Sequence, residues 1–177
     1  MGTRQGNSTW LAGMQTRILD VIAASARTVI DNAAELDDAS YATWATTRAV
    51  VDFDARRAVE YLEHQGCSVE NSLLHQYARS QSTVIALHQI EAVAPWIECL
   101  PTRFVDYETL EQLRKVRTYV GILTFTTPAI APGGNVAFLE VWVEDGRYSQ
   151  MGTCWWIQLR LNNAQWEPDW RQIHAIS

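Results

Sequence analysis

Few residues in this chain are typed and spaced for chemistry. Four histidines occur, His64, His75, His88 and His174. His75 and His88 fall on one predicted helix but thirteen positions apart, so they cannot share a metal. Neither has the i, i+4 partner of a helical zinc site. His88 and Glu91 stand at i, i+3, the spacing of a surface contact. His174 is different, because period 2 along the last predicted strand sets it on one face with Trp155 and Trp170. Tyr119 falls on the corresponding face of an earlier strand. An imidazole and a phenol in an apolar recess could move a proton or orient a ligand. The candidate ligand pocket is therefore His174, Tyr119, Trp155 and Trp170, weighed against a core histidine with one satisfied hydrogen bond.

Other polar groups have structural explanations. Asp52 and Asp54 are a close carboxylate pair, but Asp54 reads as a helix cap, and Glu144-Asp145 belongs to a turn. Gly133-Gly134 lies between two strands with no helix after it to hold a phosphate. Cys67, Cys99 and Cys154 have no zinc or redox spacing, and a sparse odd count suggests reduced thiols in a cytosol. No catalytic motif, metal site or cofactor is expected.

The elements that must position these residues follow from periodicity. Residues 117–176 read as an antiparallel meander, built from Thr118–Thr126, Val136–Val143, Thr153–Leu161 and Trp166–Ile176, rich in β-branched and aromatic types. Short polar connections favour hairpins. Ala137, Leu139, Val141 and Val143 point one way, with Trp155, Ile157, Leu159 and Leu161. With Leu161 opposite Trp166, that core face also takes Trp166, Trp170 and His174. The second face carries Phe138, Trp142 and Trp156, where a half-solvated sheet would be polar. Either another segment covers these rings, or they form an exposed patch for a partner or for self-association.

Upstream, residues 1–7 form a loose tail and residues 8–114 are mainly helical. Ser8 or Thr9 caps a helix from Trp10 to Ala34, with a stripe of Leu11, Met14, Ile18, Val21, Ile22, Ser25 and Val29. A candidate strand spans 46–53. Asp54 caps a helix to Gln65 that Gly66 ends. Ser68 caps a longer helix, Val69 to Ala92, interrupted at Arg79-Ser-Gln-Ser82. Pro95 and Pro101 bracket an irregular piece, and Asp106 begins a helix through Leu113.

The totals bound the class. A chain of 177 residues is one domain by its length. Net charge is −6, from thirteen arginines and Lys115 against twenty acids, with no basic run beyond Arg56-Arg57. That balance argues against nucleic acid, whose binding depends on neutralising phosphates. No stretch is apolar for long enough to span a membrane, and the first residues hold no apolar signal core. A cytoplasmic location is expected.

Helices, a strand, more helix and then a four-stranded meander resemble the cone-shaped α+β fold of the nuclear transport factor-like superfamily. The polar turn Asn162-Asn-Ala-Gln165, followed by Trp166 and a last strand ending in Ile-Ser, is similar to small bacterial proteins with such sheets. The resemblance covers 117–177. It implies N-terminal helices packed on a curved antiparallel sheet of four or five strands. Its members include isomerases, dehydratases, carrier subunits and binding modules, and the catalytic Tyr and Asp of the isomerase branch have no matched positions here.

The sequence therefore points to a bacterial binding protein of one α+β domain. It would associate through Phe138, Trp142 and Trp156, with itself as a homodimer or with another protein. An acidic inhibitor or immunity-type protein is one version, since acidic surfaces suit basic partners. The alternative is a small-pocket isomerase or dehydratase using His174 and Tyr119.

Overall fold

A computed structural model describes residues 5–31, 43–48, 53–80, 85, 102–116, 121–145 and 152–176. In chain order the elements are α1 (Gln5–Ile30), β1 (Thr43–Arg48), α2 (Ala55–His64), α3 (Asn71–Ser80), β2 (Thr102–Phe104) and α4 (Tyr107–Val116). The strands β3 (Gly121–Thr126), β4 (Ala129–Ile130), β5 (Val136–Asp145), β6 (Gly152–Asn162) and β7 (Gln165–Ile176) follow. The architecture is α+β, with helices packed on a curved, open sheet whose five C-terminal strands are antiparallel.

The sheet runs β2-β1-β3-β5-β6-β7, with β4 pairing β5 off that path. The expected meander is β3-β5-β6-β7. Leu161 stands opposite Trp166, the register on which the expected faces of the last strand depended. The candidate strand near 46–53 is present but earlier, at Thr43–Arg48, and joins β3 in parallel register. Long connections through α2, α3 and α4 permit that parallel pairing. β2 lies just beyond the piece bracketed by Pro95 and Pro101, where no strand was expected, and is too short for periodicity to reveal it.

Several helix ends differ from the reading of the sequence. α1 begins at Gln5, so Ser8 and Thr9 lie inside it. An established helix extends by one hydrogen bond per residue, which absorbs Gln5 to Asn7 at little cost. Val21, Ile22, Ser25 and Val29 of the expected stripe are buried. The side chains of Leu11 and Met14 lie outside the described residues. Asp54 caps α2 as expected, its Oδ1 accepting from the backbone N–H of Arg56 at 3.0 Å and of Arg57 at 3.1 Å. Gly66 ends it at φ +76, with Cys67 N–H donating to Leu62 O and Gly66 N–H to Glu63 O. α3 starts at Asn71, not after Ser68, because the Ser68 carbonyl is turned to the sheet and accepts from Trp170 Nε1–H at 2.8 Å. Asp106 caps α4, its carboxylate taking the Thr109 N–H at 2.6 Å.

The sheet is covered on both faces. Under α1, Leu19, Val21, Ile22, Ala26 and Val29 meet Leu123, Phe125, Leu139, Val141, Trp155 and Ile157. On the opposite side α2 and α3 bring Leu62, Leu73, Leu74 and Tyr77 against Phe138, Cys154 and Trp156. Burial of each such leucine contributes about 1.5–3 kcal/mol. No helix among the described residues is long and apolar enough to cross a membrane.

Candidate functional site

Among the described residues, polar side chains gather on each face of the sheet. Beneath α2 and α3, Glu140 projects from the middle of β5 and is 4% exposed. Its carboxylate accepts Trp142 Nε1–H on Oε1 at 2.8 Å and Trp156 Nε1–H on Oε2 at 3.0 Å. The backbone there is held by one hydroxyl. Glu140 N–H and the Tyr77 hydroxyl donate to Thr126 Oγ1 at 2.9 and 2.8 Å, and Thr126 Oγ1 donates to Glu140 O at 3.2 Å. That hydroxyl uses its one proton and both lone pairs, taking over where the β3–β5 ladder ends.

His174 stacks on the outer side of Trp156, 3.8 Å between ring centroids and 15° from parallel. Tyr61 meets both rings edge-on and donates its hydroxyl to Ile173 O at 3.3 Å. Burial pushes the His174 pKa below 6.5, and the Glu140 carboxylate pulls it partly back. Each carboxylate oxygen of Glu140 takes an indole N–H from the same sheet, so this cluster reads as an internal brace.

The expected grouping of His174, Trp155 and Trp170 on one face is corrected by the first of two bulges in β7. Leu159 pairs Pro168 while Gln158 pairs Trp170, which leaves Asp169 as an extra residue on β7. Trp155 pairs Ile173 while Cys154 pairs Ala175, which leaves His174 as another. One inserted residue exchanges the faces of everything after it. Pro168 has no N–H for the ladder, and Asp169 Oδ2 instead accepts from Arg160 Nη2 at 2.7 Å and Gln158 Nε2 at 2.9 Å. The Arg160 hydrogen bond holds the Asp169 carboxyl below its ordinary value. Trp170 and His174 therefore lie with Phe138 and Trp156, while Trp155 lies under α1. Tyr119 lies outside the described residues.

The proposed interface residues also have an intramolecular setting. Phe138 is wholly buried and Trp156 is 4% exposed, covered by Phe53, Tyr61 and Tyr77. Trp142 is half-buried beside them. Of the two readings of that face, coverage by the same chain is the one found. The free edge of β7 carries Pro168 and both bulges, features that blunt an edge against strand addition.

The second gathering is open. Between the C-terminal half of α1 and the β6–β7 hairpin runs a cleft of about 490 Å³. Asp20, Ala23, Ala24, Arg27 and Asp31 form the helical wall. Trp166, Glu167, Pro168 and Arg171 form the strand wall. Ala23 and Ala24 are small, which keeps the walls apart. The Asp169 bulge supplies Arg171: unbroken alternation would put Trp170 on this side and Arg171 on the other. Burial raises the Asp20 pKa above 3.8. Elsewhere on the same sheet face, outside the lining of the cleft, the Trp155 Nε1–H is buried and has no hydrogen-bond partner among the described residues.

Sequence reasoning missed Glu140, Arg171 and the α1 wall. A lone carboxylate inside Val136–Val143, two residues from a tryptophan, was the one legible signal. No family model, curated protein or solved structure matches this chain.

Proposed function

We propose that this protein binds a small organic molecule in the cleft between α1 and the β6–β7 hairpin. The observation that carries the reading is the cleft, whose volume of about 490 Å³ falls in the range of ligand pockets, about 300–1,000 Å³. Its lining combines an indole, a proline and two small residues with Arg27 and Arg171 on opposite walls. An apolar body with a few placed polar groups is the usual make-up of such sites.

A panel of organic acids, amines and neutral fragments, read by thermal shift and by the emission of Trp166, tests this. Ligand at a hundredfold excess over its Kd adds about 2.7 kcal/mol, or roughly 5–10 °C in Tm for a chain of this size. Ala24→Phe, which fills the cleft, should abolish the shift, and Ala24→Ser should keep it. If no compound raises Tm, or if Ala24→Phe binds as well as the parent, the reading fails.

A small-pocket isomerase or dehydratase of the nuclear transport factor-like fold is a second reading, favoured by Asp20. A carboxyl whose pKa is raised by burial at a ligand cleft is suited to exchanging a proton. In that case Asp20→Asn would retain binding and lose turnover. Equal turnover in both proteins would remove it.

A further inference from the structure

We infer that the cleft takes an organic amine, its ammonium resting on the Asp20 carboxylate and its body lying on the Trp166 indole. This rests on the reading of the cleft as a ligand site and names the class of ligand it takes. Both residues line the cleft, and both are half-buried. Among the described residues, no hydrogen bond or ion pair engages the Asp20 carboxylate. Its natural partner on the helix would be Arg17, at i, i+3. Arg17 is instead turned to the β4–β5 hairpin, with Nη1 2.7 Å from where a Cβ would stand on Gly134. The carboxylate is thus partly withdrawn from water, which raises its pKa, and a bound ammonium would supply the missing charge.

The register brings Asp20 and Trp166 to one end of the cleft. Beside Gly134, Asn135 O accepts the Leu161 N–H at 2.8 Å, and Leu161 pairs Trp166. The turn of α1 that holds Arg17 and Asp20 therefore passes over the end of the sheet where Trp166 stands. Trp166 packs against the core under α1 as well as lining the cleft. Ala164, Gln165 and Pro168 near it carry no charge, and Ala23 and Ala24 keep the facing helical wall low.

Charge decides the sign of the ligand. The lining sets Asp20, Asp31 and Glu167 against Arg27 and Arg171, and Arg171 is already engaged within the chain. Arg27 stands two turns from Asp20, about 10 Å along the axis, and one turn from Asp31. At the Asp20 end an anion would meet a carboxylate, and a neutral molecule would leave that carboxylate unmatched. An ammonium donates a charge-assisted hydrogen bond to Asp20 and is drawn to the face of the indole. The net charge of −6 adds a weaker field of the same sign. A ring on a short alkyl stem then covers Trp166 and the two alanines. An arylalkyl amine meets these conditions.

Phenethylamine is the probe, with phenethyl alcohol as its neutral isostere and phenylacetate as the acid. The indole N–H resonances of the ¹⁵N-labelled full chain are the readout, and the Trp166 signal is assigned by its absence in Trp166→Phe. The amine should move the Trp166 resonance and bind about tenfold more tightly than the alcohol, the worth of one charge-assisted bond. Asp20→Asn should weaken the amine by about the same factor and erase its preference over the alcohol. Asp31→Asn, at the other end of the cleft, should leave that preference in place. Equal affinity for amine and alcohol, or tighter binding of phenylacetate, would overturn the amine and leave the cleft reading intact. A Trp166 signal unmoved by all three compounds would also overturn it, and the wider panel then decides the cleft. The comparison of the three probes on the wild-type chain does not depend on any variant folding.

Discussion

Glu140→Gln is the perturbation that most directly tests how the covered face is braced. The carboxylate accepts one indole N–H on each oxygen, at 2.8 and 3.0 Å, and is nearly sealed from water. Glutamine keeps the shape but offers one acceptor and points an NH2 group at the other indole. The Trp156 bond is buried and the Trp142 bond partly so, and the amide oxygen should therefore turn to Trp156. The expected loss is one hydrogen bond to a charged group, about 1.5–3 kcal/mol, plus part of the cost of a donor facing a donor. Relief of a buried charge offsets some of this. The net is about 2–3 kcal/mol, or roughly 5–10 °C in Tm for a chain of this length. Urea unfolding followed by far-UV dichroism gives the value. A double-mutant cycle with Trp142→Phe isolates the conflict, since without that indole the amide meets no opposing donor. The cost of Glu140→Gln should then fall by about 1 kcal/mol or more. A variant within about 0.5 kcal/mol of the parent, or a cycle with no coupling, would refute the account.

Acidification should loosen the end of β7. The folded pKa of His174 lies below 6.5, so the unfolded chain takes up the proton first as pH falls. Stability should therefore drop as pH falls through 6.5, and level off once the stacked imidazole is itself protonated. Urea midpoints across that range should flatten in His174→Gln, and an unchanged slope would assign the effect elsewhere. At the β6–β7 turn, Asn163 and Ala164 adopt φ of 48° and 65°, the mirror-image turn that normally takes glycine second. Ala164→Gly should raise stability by about 1 kcal/mol, read as a higher Tm, and a lower Tm would contradict the strain.

Much of the architecture was legible because it is local. Asp54, Asp106 and Gly66 mark helix ends through bonds made within a few residues. The alternation of Ala137, Leu139, Val141 and Val143 with Phe138 and Trp142 fixed two faces on β5, and Trp155 next to Trp156 did the same on β6. Helix α1 was legible by its stripe, although its first turn was not. The candidate site was much less legible. Asp20, Ala24 and Arg27 are ordinary helical residues until a strand lies opposite them, and Glu140 looked like a solvent-facing strand position.

The amino-acid order alone determined where the four strands β3, β5, β6 and β7 form, that they pair antiparallel, and that large rings leave both sides of the sheet, because side-chain period and turn chemistry act between near neighbours. Tertiary structure alone decided what covers each side and which side receives the end of β7. Asp169 and His174 are extra only relative to β6, so no pattern within β7 could announce them. Asp169 sends Trp170 to one face and Arg171 to the other, and with that choice it shapes the strand wall of the cleft.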